Sequence, residues 1–311
     1  MKILIPEAMH ADSVARLQAA HEVRYEPSLV DRPADLLAAA PEADALIVRN
    51  RTQVRGPLLA ALSRCRVVGR LGVGLDNIDL ETCRARGIEV IPAIGANARS
   101  VAEYVLTTAM MLRRLGSYTA TADVAAGRWP RGPASQGREM AGAVIGIIGF
   151  GSIGQLTASL AQGIGMRVIA SATGAPDERL PELAGVPLLS LDEMLAQSDV
   201  LSLHLPLTPE TCGLLGAEQL ARMKPGAVLI NTARGGVVDT IALLDALRAG
   251  RLHGAALDVF DTEPLPAGSA FAEPPPNLLL TPHIAGLTTD SERRVCELVT
   301  GKVLALLGGG R

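Results

Sequence analysis

Short β-type runs alternate with helical stretches along almost the whole chain, and this alternation constrains the fold more than any other feature. Five β-type runs in the first third are separated by helical patterns, among them residues 13–20 and 33–40. The five runs cover residues 2–5, 22–25, 45–48, 66–69 and 88–91. Strands that alternate with helices form a parallel sheet with helices on both faces. The first third therefore predicts a doubly wound α/β unit.

A long helix is predicted to separate this unit from a second series of the same kind. Ser100 and Glu103 have the spacing of a capping box, so we expect the helix to begin there and to run through Arg113. Six further strands are then predicted. They cover residues 144–148, 167–170, 200–203, 227–231, 255–259 and 278–281.

The length of 311 residues favours two domains. A last predicted helix, residues 291–307, is too short to be a domain, and we expect it to pack back on the first unit. The expected division is a discontinuous domain of residues 1–98 plus 287–311 and a second domain of residues 99–286. Two similar α/β halves predict a cleft between them, where a ligand commonly binds.

A glycine-rich loop follows the first strand of the second series. Residues 149–154 read Gly-Phe-Gly-Ser-Ile-Gly and lead into a helical segment, 155–164. Gly149 permits a tight turn, Gly151 lets a pyrophosphate approach the backbone, and Gly154 lets helix and strand pack closely. The free N–H groups at the start of this helix favour an anion, and Ser152 and Ile153 of the loop are predicted cofactor contacts. An ordinary glycine-rich turn is the alternative, but this context favours dinucleotide binding.

The acidic residue expected about 20 positions further on is absent. Such a carboxylate binds the ribose 2′-hydroxyl of NAD. Ser171 and Thr173 occupy this region instead, and the first acidic residue is Asp177. Both hydroxyls can donate to a 2′-phosphate, although the nearest downstream cation is Arg179. The sequence therefore slightly favours NADP, or the use of both cofactors.

Three chemically complementary residues follow strands of the second series. Arg234, Glu263 and His283 each come just after a predicted strand, and strand ends of a doubly wound sheet face the ligand crevice. An imidazole can take the hydroxyl proton while hydride leaves carbon, and a nearby carboxylate favours the protonated imidazole. An arginine can bind a substrate carboxylate through two hydrogen bonds. Structural roles are the alternative for each residue taken singly.

At these residues the chain resembles the D-isomer-specific 2-hydroxyacid dehydrogenases, the family of phosphoglycerate, glycerate and D-lactate dehydrogenases. The resemblance extends over nearly the whole chain and is strongest in four stretches, residues 149–154, 231–239, 256–265 and 281–286. It implies a flavodoxin-like substrate domain and a Rossmann cofactor domain, with Arg234, Glu263 and His283 carrying the chemistry.

The resemblance also implies further cofactor contacts and an assembly. Asp258 binds the nicotinamide carboxamide in this reading, and Thr232, Ala233 and Gly286 line the cofactor. A homodimer is implied through the cofactor domain, including residues 100–141.

Residues of the first unit indicate the substrate. The resemblance implies that the loop with Val73 and Gly74 presents N–H groups to the substrate carboxylate. Arg49, Arg51 and Arg70 lie nearby in sequence. We therefore expect an acid with a second anionic group, similar to 3-phosphoglycerate or sulfolactate. The alternative is that these arginines pair with acids on the domain surface.

Composition excludes several other classes. The net charge of −3 and the 2% of aromatic residues argue against a nucleic-acid surface. No apolar run approaches the roughly 20 residues of a membrane helix. The four cysteines are far apart, which argues against a metal site and favours a reducing cytoplasm. They are Cys65, Cys83, Cys212 and Cys296.

Three alternatives remain for function. The same scaffold serves dehydrogenases of formate or phosphite, and it also serves a dinucleotide-sensing corepressor that binds partner peptides. A methyltransferase that uses the glycine loop leaves Arg234, Glu263 and His283 without a role.

Overall fold

The chain forms two compact units. The structure is a computed structural model, and it describes residues 1–171 and 185–308. One unit comprises Met1–Asn97 and Leu287–Arg311, and the other comprises Ala98–Gly286.

The first unit is built on a five-stranded parallel sheet. Its strands are β1 (Lys2–Ile5), β2 (Glu22–Tyr25), β3 (Ala45–Val48), β4 (Val67–Arg70) and β5 (Glu89–Pro92). The spatial order is β2-β1-β3-β4-β5. β3 is buried on both faces, and its continuous Ala-Leu-Ile-Val sequence is typical of an inner strand of a parallel sheet.

Helices cover both faces of this sheet. They are α1 (Ala11–Gln18), α2 (Pro33–Ala39), α3 (Gly56–Ala61), α4 (Leu80–Ala85) and the C-terminal helix (Thr289–Gly308). The C-terminal helix shares a core with α1, to which it contributes Val295, Val299 and Val303. A Cβ at Gly69 of β4 would lie 2.7 Å from a methyl group of Val299. Glycine at this position therefore allows the helix to lie close against the sheet.

The second unit contains a six-stranded parallel sheet. The strands are β6 (Val144–Ile148), β7 (Arg167–Ser171), β8 (Val200–Leu203), β9 (Val228–Asn231), β10 (Gly254–Leu257) and β11 (Leu278–Leu280). Their order is β11-β10-β9-β8-β6-β7. Ala170 of β7 also forms an isolated parallel bridge with Leu188.

Two hydrophobic cores lie on opposite faces of this sheet. The helices of the unit are α5 (Ala98–Arg113), α6 (Leu115–Tyr118), α7 (Thr121–Ala125), α8 (Arg131–Ala134), α9 (Ser152–Gly163), α10 (Leu191–Gln197), α11 (Ala217–Arg222) and α12 (Thr240–Arg248). Ile147 belongs to the core with α5 and α9, whereas Ile148 belongs to the core with α10, α11 and α12. This division follows from the strand, because successive side chains point to opposite faces.

The α/β fold with two parallel sheets is confirmed, and the strand bounds lie within two residues of those predicted. Of the described helices, none has both the length and the hydropathy that crossing a membrane requires.

The predicted capping box at Ser100 is wrong. α5 begins at Ala98, so Ser100 lies inside the helix and is 6% exposed. Glu103 pairs with Arg99, one turn earlier, at 3.8 Å. A real capping box opens α10, where Ser190 and Glu193 exchange hydrogen bonds with each other's backbone. The spacing of serine and glutamate alone does not fix a helix start when burial of the helix favours an earlier one.

A half-buried histidine after β8 makes stability depend on pH. The ring of His204 lies 2.9 Å from the hydroxyl of Ser202, and burial lowers the pKa of His204 to about 4. An imidazole in the unfolded chain has a pKa near 6.5. Between these values only the unfolded chain binds the proton. The free energy of unfolding therefore keeps its whole value above about pH 6.5 and falls as the pH drops toward 4.

We predict that His204→Gln reduces this loss of stability. The wild-type free energy of unfolding should fall by about 2 kcal/mol from His204 alone between pH 7 and pH 5. Urea unfolding at the two pH values measures the difference, and the variant should lack this contribution. The exposed His253 gives the control, since His253→Gln should retain the wild-type dependence. An equal pH dependence in His204→Gln and wild type would contradict the prediction.

Candidate active site

Three adjacent strands of the second unit end at the same level. Asn231 of β9, Leu257 of β10 and Leu280 of β11 are register partners across the sheet. The strands are parallel, so the segments that follow them leave from the same edge. Those segments carry the three residues singled out from the sequence, Arg234, Glu263 and His283.

Glu263 and His283 are joined by a direct hydrogen bond. Nδ1 of His283 lies 2.7 Å from Oε2 of Glu263, and the backbone N–H of Phe260 donates to Oε1 at 3.0 Å. An ionised carboxylate only accepts hydrogen bonds, so Nδ1 carries the proton that joins the pair. In the neutral ring, Nε2 is then the nitrogen that accepts. The imidazole side chain is 48% exposed, which leaves it accessible.

The segment with Arg234 packs against the segment that leads to Glu263. A Cβ at Gly235 would overlap the backbone of Phe260, so only glycine permits this approach. The buried Asn231 holds the turn from inside. Its amide donates to the Arg234 carbonyl at 2.9 Å, and its carbonyl accepts from the Ala233 N–H at 3.0 Å.

The guanidinium of Arg234 lies close to its own backbone. Nη1 donates to the carbonyl of Ala233 at 2.6 Å. The geometry thus brings the segment with Arg234 against the segment that precedes Glu263.

Asp258 holds the segment that carries His283. The carboxylate is 1% exposed and accepts from the backbone N–H groups of Ile284 and Ala285, each at 2.8 Å. It also accepts from the hydroxyl of Thr281 at 2.6 Å. Oδ1 takes two of these hydrogen bonds and Oδ2 takes one, so Oδ2 keeps acceptor capacity for a further donor.

The glycine loop has the geometry of a tight strand-to-helix turn. Gly149 has a φ of 88°, and a Cβ there would lie 2.6 Å from the carbonyl oxygen of His204. A Cβ at Gly154 would overlap the carbonyl of Gly149, whereas the space at Gly151 is open. α9 begins at Ser152 rather than at the predicted residue 155, so its first N–H groups adjoin the loop.

Two buried polar atoms at the same edge fit a polar ligand. Thr232 Oγ1 follows β9 and His204 Nδ1 follows β8, and neither has a hydrogen-bond partner among the described residues. Buried polar atoms are costly unless they are satisfied, so these two point to contacts with a bound group. With the open Gly151 backbone, they suit a dinucleotide lying along the strand ends.

The remaining predicted cofactor residues are placed as follows. Ala233 is 6% exposed, and Gly286 ends the unit. The Ser171 side chain is 5% exposed, and its carbonyl accepts from the Gly149 N–H. Thr173 lies outside the described residues. Within the described ranges, no cluster of histidine, cysteine or acidic residues could hold a metal ion.

In the first unit, two of the arginines engage acids. Arg51 pairs with Asp31, and Arg49 pairs with Glu292 at 2.6 Å. The guanidinium of Arg70 lies over Gly72 and donates to the carbonyl of Leu71 at 3.0 Å.

Gly72 lies directly beneath the Arg70 side chain. A Cβ at Gly72 would overlap the guanidinium of Arg70. Val73 and Gly74 follow directly and are partly exposed.

Two residues of the first unit that hold a loop were not singled out from the sequence. The carboxylate of Glu7, 4% exposed, accepts N–H groups of the 49–52 turn at 2.9 to 3.2 Å. The amide of Asn77 donates to carbonyls of the same turn at 2.9 and 2.7 Å. For Glu7, the signal in the sequence was a charged residue soon after the apolar strand β1.

The chain is similar to known proteins over most of its length. Residues 106–285 match the family model of the D-isomer specific 2-hydroxyacid dehydrogenase, NAD binding domain. The chain is 46% identical over 306 residues to (S)-sulfolactate dehydrogenase of Chromohalobacter salexigens, covering 98% of each chain. It is 40% identical to D-3-phosphoglycerate dehydrogenase of Mycobacterium leprae over 99% of this chain and 57% of that protein.

A solved structure is similar to this one over nearly the whole chain. The crystal structure of the TT0316 protein from Thermus thermophilus has a TM-score of 0.87 and 36% identity, and the match covers 99% of this chain and 97% of that one.

We predict that Gly151→Ala weakens dinucleotide binding without unfolding the protein. The added methyl group meets open space in this structure but would project where a pyrophosphate approaches. Fluorescence titration with NADH and NADPH should show at least a tenfold higher Kd. The control is Gly163→Ala at the other end of α9, where the space is equally open. Unchanged binding in Gly151→Ala would contradict the placement of the pyrophosphate.

Proposed function

The chain belongs to the D-isomer specific 2-hydroxyacid dehydrogenase family, and from that premise we propose which residues perform the reaction. The enzyme transfers hydride between a nicotinamide cofactor and a 2-hydroxy or 2-keto acid. The observation that carries the assignment is the 2.7 Å hydrogen bond between His283 and Glu263, next to the segment with Arg234.

His283 acts as the acid–base group. Because Glu263 accepts a hydrogen bond from Nδ1–H, Nε2 of the neutral ring is the nitrogen that takes the hydroxyl proton when a hydroxy acid is oxidised. The carboxylate then stabilises the imidazolium that forms. In the reverse direction Nε2 returns this proton to the carbonyl oxygen.

Arg234 binds and orients the substrate carboxylate. Its guanidinium can present two parallel donors to a carboxylate, which fixes the direction of the reacting carbon. Orientation of this kind lowers the barrier because the reacting atoms no longer have to be brought together by chance. The hydrogen bond of Nη1 to Ala233 restrains the side chain near this position.

The second unit holds the cofactor. A bound nicotinamide ring supplies the hydride acceptor or donor. Gly149, Gly151, Ser152, Ile153 and Gly154 hold the pyrophosphate in this proposal. Thr232, Ala233, Asp258 and Gly286 would line the rest of the cofactor, and the spare acceptor position of Asp258 Oδ2 could take a hydrogen bond from the carboxamide.

We propose that the enzyme uses NADP as well as NAD, with a slight preference for NADP. No acidic residue occurs between Ser171 and Asp177 to repel a 2′-phosphate. The side chains of Ser171 and Thr173 are the proposed donors. The NADH and NADPH titrations of the wild type, proposed above for the glycine loop, measure this preference directly.

The proposed substrate has a second anionic group. Two relatives are named for sulfolactate and 3-phosphoglycerate, acids that carry a sulfonate and a phosphate. Arg70 is the leading candidate for that group, since its guanidinium lies over the loop with Val73 and Gly74. Arg51 is a second candidate, because an exposed ion pair such as Arg51–Asp31 contributes little and yields readily to another anion.

A homodimer in the cytoplasm is the proposed state. Three large side chains between residues 114 and 141 are exposed, Tyr118 by 55%, Val124 by 47% and Trp129 by 72%. A second subunit would cover them, and light scattering gives the mass that tests this. The free thiols, including the exposed Cys212, suit a reducing compartment. The corepressor alternative is not favoured, since the relatives reported above are named as dehydrogenases.

We predict that His283→Gln abolishes turnover while cofactor binding persists. Loss of the acid–base group should lower kcat by at least 1000-fold, because glutamine cannot exchange a proton near neutral pH. Absorbance at 340 nm with 2-keto acids and NADH or NADPH measures the rate. His10→Gln, in the first unit, is the control and should retain activity. Wild-type turnover by His283→Gln would remove His283 from the mechanism.

We predict that Arg70→Gln selectively impairs doubly charged substrates. Its kcat/KM for sulfolactate and 3-phosphoglycerate should fall by about 10- to 100-fold, the loss typical of a charged hydrogen bond. Its kcat/KM for lactate should change little. Arg64→Gln is the control, because Arg64 lies before β4 at the opposite end and pairs with Asp44. Equal kcat/KM of the wild type for lactate and the doubly charged acids would contradict the proposal.

A further inference from the structure

A chain of hydrogen bonds connects α5 to the segment that carries His283. The hydroxyl of Tyr104, on α5, lies 2.7 Å from the hydroxyl oxygen of Thr281. Thr281 donates its only hydroxyl proton to Oδ1 of Asp258 at 2.6 Å. Tyr104 is therefore the donor to Thr281. The chain ends at the backbone N–H groups of Ile284 and Ala285, which the same carboxylate accepts.

The segment that this chain holds has an unusual backbone at His283. His283 has a φ of 57°, and among the described residues it is the one non-glycine residue in the left-handed region. Such a conformation costs about 1 kcal/mol and persists where the surroundings enforce it. Asp258 contacts the chain on both sides of His283, through Thr281 before it and through Ile284 after it. The aspartate and its partners thus enforce the conformation that directs the imidazole toward Glu263.

We propose that Thr281 and Tyr104 are positioning residues for His283. Neither is assigned to contact the reacting atoms. The Thr281 hydroxyl donates to the Asp258 carboxylate and holds it in place. The Tyr104 hydroxyl in turn donates to the Thr281 oxygen, which orients the Thr281 hydroxyl toward Asp258. The proposal rests on the acid–base role of His283 given above.

The position of Tyr104 supports an anchoring role. Its ring packs against the core that contains α5 and α9, while its hydroxyl reaches Thr281. Burial raises the pKa of Tyr104 above its usual range, so the phenol stays protonated and remains a donor. α5 is a 16-residue helix with most of its side chains buried, and it provides a rigid anchor.

The test compares Thr281→Val with Thr281→Ser. Valine matches threonine in shape but removes the hydroxyl, whereas serine retains it. We expect Thr281→Val to lower kcat by about 10- to 100-fold with little change in KM for the acid, because misplacement of a catalytic group affects the chemical step. Thr281→Ser should recover kcat to within about threefold of wild type.

Tyr104→Phe provides a second variant that keeps the buried ring. It should lower kcat by less than Thr281→Val, about three- to tenfold, because the hydrogen bond from Thr281 to Asp258 remains. It also carries the test if Thr281→Val fails to fold. Tyr25→Phe, at an exposed tyrosine of the first unit, is the control and should leave kcat unchanged.

The outcomes separate this inference from the proposed function. Wild-type kcat in both Thr281→Val and Tyr104→Phe would overturn the positioning role while leaving His283 as the acid–base group. Equal loss of kcat in Thr281→Val and Thr281→Ser would also overturn it, since the hydroxyl would then not be the cause. Retained turnover in His283→Gln would instead defeat the proposed function.

Discussion

The in-register row of Asn231, Leu257 and Leu280 is the constraint on which the candidate site depends. Three neighbouring parallel strands end together, so the segments after them must share one edge. A shift of one strand by one residue would move each of its side chains from one hydrophobic core to the other, and the close packing of both cores opposes this. Packing of apolar side chains therefore sets where a guanidinium, a carboxylate and an imidazole can meet.

Buried polar residues convert this coarse placement into a fixed geometry. Asn231 lies at the end of a strand and hydrogen-bonds the backbone of the segment with Arg234. Asp258 lies just after a strand and hydrogen-bonds the backbone of the segment with His283. Glu7 and Asn77 do the same for the 49–52 turn of the first unit. A buried polar group is costly unless paired, so each one penalises any other conformation of its segment. Both units use this device where their loops carry charged side chains.

Much of the fold was predictable from the sequence because strands and helices have periodic patterns. The alternation of apolar runs located the strands, and the glycine spacing located the turn at Gly149. The start of α5 was mispredicted from Ser100, since the Ser-x-x-Glu pattern is short and occurs inside helices as well. Local patterns thus gave the elements, whereas the exact helix ends required knowledge of burial.

The residues that hold the site were less predictable, because single polar residues have no period. Arg234, Glu263 and His283 could be singled out from the sequence because each follows a predicted strand, and strand ends of a parallel sheet face a common edge. Thr281 belonged to a recognised stretch, yet its partner Tyr104 lies 177 residues away. Likewise, nothing local in the sequence showed that Arg51 pairs with Asp31. Such contacts depend on tertiary packing and become visible only in three dimensions.

We infer that Glu263 fixes which nitrogen of His283 carries the proton. Nitrogen NMR of histidine-labelled enzyme at pH 9, with His283 assigned by its loss in His283→Gln, reports the tautomer directly. We expect His283 to be protonated on Nδ1 in the wild type and to shift toward the Nε2-protonated form in Glu263→Gln. A wild-type His283 protonated on Nε2 would contradict it.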